Sequence, residues 1–274
     1  MNSLEIHYIK SIIKKRDSFS HKGDHGHALL IAGHKGYMGA AVIAAKAGLR
    51  SGVGLLTVSV PLDERLILQT SLPEAMLAMR EDKQYHWAKF SAVGIGPGLG
   101  IDTSTEELLI DVLSKVKVPL VLDADALTLI SMNKALLNDV PHYTVITPHA
   151  AEFDRLFGLH EDNDARIQTA IQKAKDHTLI IVLKGHHTVI ISPKEIAYNS
   201  TGNAGLAKGG SGDALTGVII SFLAQGYTPF LAASLGVYFH GLAADITLKT
   251  QSMESMVVTD VIESFGNAFK MING

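Results

Sequence analysis

Short apolar runs that stop at a glycine, a proline or an acid alternate along the chain with stretches of helical periodicity. His27–Ala32 ends at Gly33, Leu55–Val60 ends at Pro61, and Ser91–Gly96 runs into Pro97-Gly98-Leu99-Gly100. Apolar runs this short, bounded by turn residues, read as strands buried on both faces. Pro119–Asp125 is a further strand ending in two acids, and Tyr143–His149 is one ending in a histidine. Thr178–Gly185 and Thr188–Ser192 read as neighbouring strands joined around His186-His187, with a short strand at Ile196–Tyr198 after them. Helical patterns fill the intervals: small residues over Ala40–Ala47, Leu108, Leu109, Val112 and Leu113 within Thr103–Lys115, and a pattern over Ala150–Leu156. Apolar helices follow at about Leu215–Ala224 and Pro229–Thr247, with a last one near Thr259–Met271. Residues 1–24, with the basic patch Lys14-Lys15-Arg16, read as a polar surface lead-in. The alternation predicts an α/β fold with a mainly parallel sheet covered on both faces, in one domain over residues 1–274.

Composition narrows the chemistry. A hydrophobic share of 47% with 19% charged residues suits a well-packed enzyme rather than a disordered chain. A net charge of −3 supplies no field for nucleic acid or an acidic membrane. The absence of cysteine removes disulfides, thiolate zinc sites and a cysteine nucleophile together. The opening residues lack the build of a signal peptide, and by this reading no apolar run approaches the roughly 20 residues that span a bilayer. A cytoplasmic protein is expected.

In open parallel sheets, ligands sit beyond the carboxyl ends of the strands. Gly33, Gly96, Asp123 and Asp125, Pro148-His149 and Lys184-Gly185 all fall there. A glycine-rich stretch, Asn199–Leu215, carries Gly209-Gly210-Ser211-Gly212 and then one acid, Asp213, where an apolar helix begins. Unpaired amides and the positive end of a helix dipole favour an anion such as phosphate there. A carboxylate beside such a cradle is either a helix cap or a base that takes a proton from an attacking hydroxyl. There is no Gly-x4-Gly-Lys-[Ser/Thr] loop, no His-Glu-x-x-His pair and no Gly-x-Ser-x-Gly elbow. His21, His25 and His27 alternate, but no fourth metal ligand accompanies them.

Several stretches carry a resemblance. Gly209-Gly-Ser-Gly-Asp213 is similar to the anion-hole and base motif of the ribokinase-like superfamily. Lys22-Gly-x-x-Gly26, Gly96-Pro-Gly-Leu-Gly100, Asp123-Ala-Asp-Ala-Leu127 and Thr147-Pro-His-x-x-Glu152 resemble, in order, the ADP/ATP-dependent (S)-NAD(P)H-hydrate dehydratases of the YjeF carboxyl-terminal type. So do Lys184-Gly-x-x-Thr188, Asn199-x-Thr-Gly-Asn203 and Tyr238-x-His-Gly-Leu242, the set covering about residues 22–245. The resemblance implies a three-layer α/β/α ribokinase-like fold and nucleotide-driven removal of water from hydrated NADH or NADPH. In that reaction the hydrate's hydroxyl is phosphorylated and phosphate then leaves.

By position, it implies Asp213 as base, amides of Gly210, Ser211 and Gly212 as anion hole, and Ala40, Gly98, His149 and Asp213 along the hydrate. Lys184, Gly185, His186, His187, Thr188 and Gly212 would surround the nucleotide, ADP or ATP. Thr188 has an equal reading as a plain β-branched strand residue. Glu152 would order water on Mg²⁺, and Asn203 would fix the loop or a divalent ion, each against a purely structural hydrogen bond. One of Asp123 and Asp125 is expected to cap the next helix. Asp213 is followed by Ala214 where the family commonly has Val, a change in helix packing that leaves the base untouched. The amino-terminal epimerase half of larger family members has no counterpart in these residues, so a separate epimerase would supply the S epimer. Family members are often homotetramers, and the apolar helix near Pro229–Thr247 leaves room for a subunit interface. A vitamin-precursor alcohol kinase of the hydroxymethylpyrimidine or hydroxyethylthiazole type is the alternative on the same scaffold, and a nucleotide sensor without turnover is a third.

Overall fold

A computed structural model describes residues 2–82 and 85–274. Ten strands are formed, β1 Asn2–Leu4, β2 His27–Ile31, β3 Leu55–Val60, β4 Met76–Met79, β5 Ala92–Ile95, β6 Leu120–Leu122, β7 Val145–Ile146, β8 Ile180–Leu183, β9 Val189–Ile191 and β10 Ile196–Asn199. They make one sheet in the order β1-β10-β9-β8-β7-β6-β5-β2-β3-β4. Pairing is parallel from β4 across to β8, antiparallel at β8–β9 and β9–β10, and parallel again at β1–β10.

Eleven helices connect or flank the described strands. They are α1 Ile6–Ile12, α2 Met38–Arg50, α3 Arg65–Ser71, α4 Thr103–Lys115, α5 Asp125–Met132, α6 Ala150–Phe157, α7 Asn163–His177, α8 Ser211–Ala224, α9 Pro229–Thr247, α10 Val258–Glu263 and α11 Phe265–Asn273. Because successive strand side chains point to opposite faces, each central strand feeds two cores. Ala28 and Leu30 of β2 join the core beneath α2, α8 and α9, whereas Leu29 and Ile31 join the one beneath α4 to α7. That is why the strand runs read as continuously apolar.

Several expectations are revised. Residues 2–12 are no surface lead-in: β1 extends the sheet beside β10, and Leu4 and Ile9 are fully buried. The last helix is two, α10 and α11, separated at Ser264, whose hydroxyl bonds Thr247 Oγ1 at 2.8 Å. α9, 19 residues of apolar composition, is long enough to cross a membrane, contrary to the sequence reading. Its residues are spent inside this molecule instead, against α8, α10, α11 and the sheet, so it offers little surface to a second subunit. His21, His25 and His27 turn to separate partners, Gly23 N–H, Ser20 Oγ and Thr57 Oγ1, and no metal-holding cluster is found among the described residues.

Candidate active site

The carboxyl ends of β5 to β8 and the amino end of α8 meet along one edge of the sheet. Asp123 leaves β6 and is 1% exposed. Its Oδ1 accepts from Lys184 Nζ at 3.0 Å and its Oδ2 from Thr216 Oγ1 of α8 at 2.8 Å. Lys184, just past β8, has Glu152 Oε2 at 3.8 Å as a second carboxylate. Burial alone would lower the Lys184 pKa, but Asp123 and Glu152 outweigh it and hold the ammonium above its usual range. The β7–β8 pairing continues past the strands: His149 bridges Lys184, whose N–H donates to the Pro148 carbonyl at 2.9 Å.

His149 is the N-cap of α6. Its Nδ1 accepts from the amides of Ala151 and Glu152, and its own N–H donates to Glu152 Oε2 at 2.8 Å, a reciprocal capping box. The imidazole is 51% exposed and borders the cavity described below. Glu152 is buried, 6% exposed, with one oxygen spent on the cap and the other 3.5 Å from His149 Nε2. A carboxylate engaged in this way and facing an ammonium does not fit direct ligation of Mg²⁺.

Gly210, the N-cap of α8, has φ +89 and no side-chain cap. A Cβ there would also press on Ile43 Cδ1 at 2.7 Å, so only glycine suits the turn. Among the described residues the amides of Gly210, Gly212 and Asp213 have no backbone acceptor, while the Ser211 amide donates to the Lys208 carbonyl at 3.3 Å. The Ser211 amide, expected in the anion hole, is thus engaged within the loop, and among the described residues the Gly209 and Asp213 amides are unpaired beside those of Gly210 and Gly212. Lys208 Nζ in turn holds the Glu254 and Met256 carbonyls, fixing the far side of the loop. The Asp213 carboxyl is half-buried and is pushed up to about 6, first by burial and next by the charge of Asp123.

Asp125 caps nothing. The N-cap of α5 is Ala124, and the Asp125 Oδ2 accepts from the Gly100 amide at 2.8 Å, tying down the Gly96–Gly100 loop. Gly96 lies so close to Asp123 that a Cβ would strike its carbonyl oxygen. Gly98 and Ala40 are neighbours, a Cβ on Gly98 falling 2.8 Å from Ala40 Cβ. A cavity of about 770 Å³ opens beside Lys184 and the loop before α8, bordered by His149, Gly185, His186, Thr188, Ser211 and Gly212 among others; Asp213, Ala40 and Gly98 are not in its lining. Thr188 lies just outside β9 with its hydroxyl 3.4 Å from the Gly185 carbonyl. His187 is outside that lining and packs edge-on to His186. Asn203 closes the opposite wall: its Oδ1 accepts from Gly205 N–H, and its Nδ2 donates to Asp245 Oδ1 of α9 at 2.9 Å. Its side chain fixes the loop.

An unpaired amide cradle, a carboxyl with a raised pKa and a cation beside it form a site for moving a phosphoryl group onto a hydroxyl. The family model described as NAD(P)H-hydrate dehydratase matches residues 28–266. The chain belongs to that family. The ADP-dependent (S)-NAD(P)H-hydrate dehydratase of Listeria monocytogenes is 34% identical over 95% of this chain and 94% of its own length. The chain spans about half the length of the bifunctional relatives it matches, 51% of the NAD(P)H-hydrate repair enzyme of Moorella thermoacetica at 35% identity. Among solved structures, a ribokinase-like superfamily protein from Enterococcus faecalis superposes with a TM-score of 0.89 at 30% identity, covering 99% of this chain and 96% of that one. The ADP/ATP-dependent NAD(P)H-hydrate dehydratase of Bacillus subtilis, co-crystallised with ATP/Mg²⁺, gives 0.87 at 30% identity and covers 99% and 98%. The fold is ribokinase-like, with three α/β/α layers.

Within this dehydratase family frame, sequence reasoning passed over three groups. Thr216 reads as a core residue of an apolar helix, yet its hydroxyl orients Asp123. Asp245 lies far along α9 and reaches back to the Gly202 amide and Asn203. His240 belongs to the quoted Tyr238-x-His-Gly-Leu242 stretch, but no role was attached to it. A polar residue on an otherwise apolar helical stretch was the available signal in all three.

Proposed function

We propose that this protein dehydrates the S epimer of NADH- or NADPH-hydrate at the expense of ADP or ATP, returning the reduced nicotinamide nucleotide. What supports the reading above all is the Asp213 carboxyl, poised near neutrality at the mouth of an uncapped helix. Asp213 takes the proton of the hydrate's hydroxyl as its oxygen bonds to the terminal phosphorus, and the nucleotide leaves one phosphate shorter. Free amides at Gly210, Gly212 and Asp213 hold the transferring group, and the Lys184 ammonium balances its charge. Hydroxide is a poor leaving group and phosphate a good one. The ring nitrogen lone pair expels phosphate, and loss of a proton from the adjoining ring carbon restores the double bond. Ala40, Gly98 and His149 line the hydrate; Lys184, Gly185, His186, Thr188 and Gly212 line the nucleotide, with His187 packed edge-on to His186. Mg²⁺ would come with the nucleotide, and Glu152, one oxygen of which is held by the cap, would order water on it rather than ligate it directly.

The 274 residues work as one ribokinase-like unit, in the cytoplasm with the nicotinamide pool, as a homotetramer supplied by a separate epimerase. Light scattering for the assembly, and turnover of the R epimer only after epimerase is added, test these points.

The decisive experiment is Asp213→Asn with chemically hydrated NADH and ADP or ATP. Removing a general base costs on the order of 10²–10⁴-fold in kcat, while hydrate affinity should change little. Wild-type turnover in that variant removes Asp213 from the role. Product analysis separates the alternatives. Recovered dihydronicotinamide absorbance with free phosphate marks the dehydratase, a stable phosphorylated alcohol marks the vitamin-precursor kinase, and nucleotide binding without hydrolysis marks a sensor.

A further inference from the structure

His240 sits in the middle of α9 and is 6% exposed, among apolar neighbours. Its Nε2 is buried and has no hydrogen-bond partner. A buried polar atom left unpaired is destabilising, so its retention asks for a second state in which the ring is satisfied. His240 is also among the residues that line the 770 Å³ cavity, and Lys184 is near enough for its charge to act on the ring. It cannot withdraw. Thr201 Oγ1 donates to the Tyr238 carbonyl at 2.9 Å, and a Cβ on Gly241 would collide with Thr201, so α9 and the cavity loop are in direct contact on both sides of His240. Burial, and then the nearby Lys184 charge, push its pKa down to about 4, which leaves a neutral ring with one donor and one acceptor at ordinary pH.

Resting on the reading that this cavity takes ADP or ATP, we propose that His240 is a further nucleotide-binding residue, its imidazole N–H donating to a phosphate oxygen from the α9 side. Lys184 supplies charge to the same group from the β8 side. The imidazole adds a directed hydrogen bond without placing a second cation in the site.

The test is calorimetric titration of ADP and of adenosine into wild type, His240→Phe and His240→Gln, with thermal unfolding of each free protein. A hydrogen bond to a charged group is worth about tenfold or more in affinity, so His240→Phe should bind ADP at least that much more weakly while adenosine binding is unchanged. Gln, which keeps an N–H donor, should recover most of the loss. Free His240→Phe should unfold no lower than wild type, because the unpaired nitrogen is gone; His240→Leu, which also lacks a donor, serves if the phenyl ring does not fit. ADP binding within about twofold of wild type in His240→Phe overturns the proposal, as does equal weakening of ADP and adenosine, which would report packing alone. A wild type that binds neither ADP nor ATP overturns the nucleotide reading of the cavity, and this proposal with it.

Discussion

At Asp213, two carboxyl environments meet: the unfolded chain, where the group titrates near 3.8, and the folded site, where it titrates at about 6. Burial is the largest cause, with Asp123, Asp125 and Glu152 adding to it and Lys184 opposing. The folded state therefore holds this proton more tightly than the unfolded state does. Stability from this group is complete below about pH 4 and is lost as pH rises through about 6. Asn at the same position does not titrate. Asp213→Asn should melt with the wild type near pH 4 and progressively above it towards pH 7, a divergence that scanning calorimetry across the range would record. A constant offset would mean that the carboxyl is not strained by its surroundings. Activity has the opposite dependence, since the base must be ionised: kcat/KM for the hydrate should rise with pH through about 6 and then level. The acid itself was legible in the Gly-Gly-Ser-Gly-Asp stretch. Asp123 and Lys184 were legible as strand ends on the same edge, but their contact was not, because they stand 61 residues apart and meet only when β6 and β8 lie in one sheet.

α8 is the element that turns this cluster into a site. Its first turn has no side-chain cap, and Gly212 lies with its missing Cβ only 3.2 Å from Lys184 Nζ and 3.8 Å from Asp123 Oδ2. The backbone there is helical, so alanine would suit the helix, by roughly 0.5–1 kcal/mol over glycine. Gly212→Ala should thus keep or raise the melting temperature while pushing Lys184 off Asp123 and lowering kcat by about tenfold or more, as small misplacements of reacting groups do. Steady-state kinetics beside a thermal melt check this split; a variant with full activity would show that the ammonium needs no such close approach. Elements with long apolar runs, β2, β3 and β5, were readable from pattern. α7 was not, because its buried positions are Ile167 and two alanines, Ala170 and Ala174, too small to raise a visible stripe. α3 and β4 escaped for a related reason: they close the sheet at its edge, where only Leu68 of α3 is buried and β4 is partly exposed.

Across the whole molecule, the amino-terminal elements stabilise the wall of the active site from the far end of the sheet. β1 pairs in parallel with β10, Leu4 with Asn199, and the Ser200 hydroxyl donates to the Leu4 carbonyl at 2.5 Å. The ligand loop begins directly after, at Thr201. α1 packs on α11, and the Lys14 amide donates to the Tyr227 hydroxyl at 2.7 Å just before α9. Among the described residues of this segment only Leu4 and Ile9 are buried, so its polar sequence hid both its strand and its helix. Each buried aliphatic side chain contributes about 1.5–3 kcal/mol. Deleting residues 2–12 should therefore lower the melting temperature by roughly 5 °C or more, even after the deleted segment's ordering cost is returned. It should also raise the KM for ADP more than it lowers kcat, because the loop bordering the nucleotide cavity loses its β1 anchor while Asp213, Lys184 and Asp123 keep theirs. The pair of measurements separates the two roles. A truncated chain that melts lower but binds ADP as before would mean that the loop is held by Asp245 and Lys208 alone, and that β1 serves the sheet and nothing beyond it.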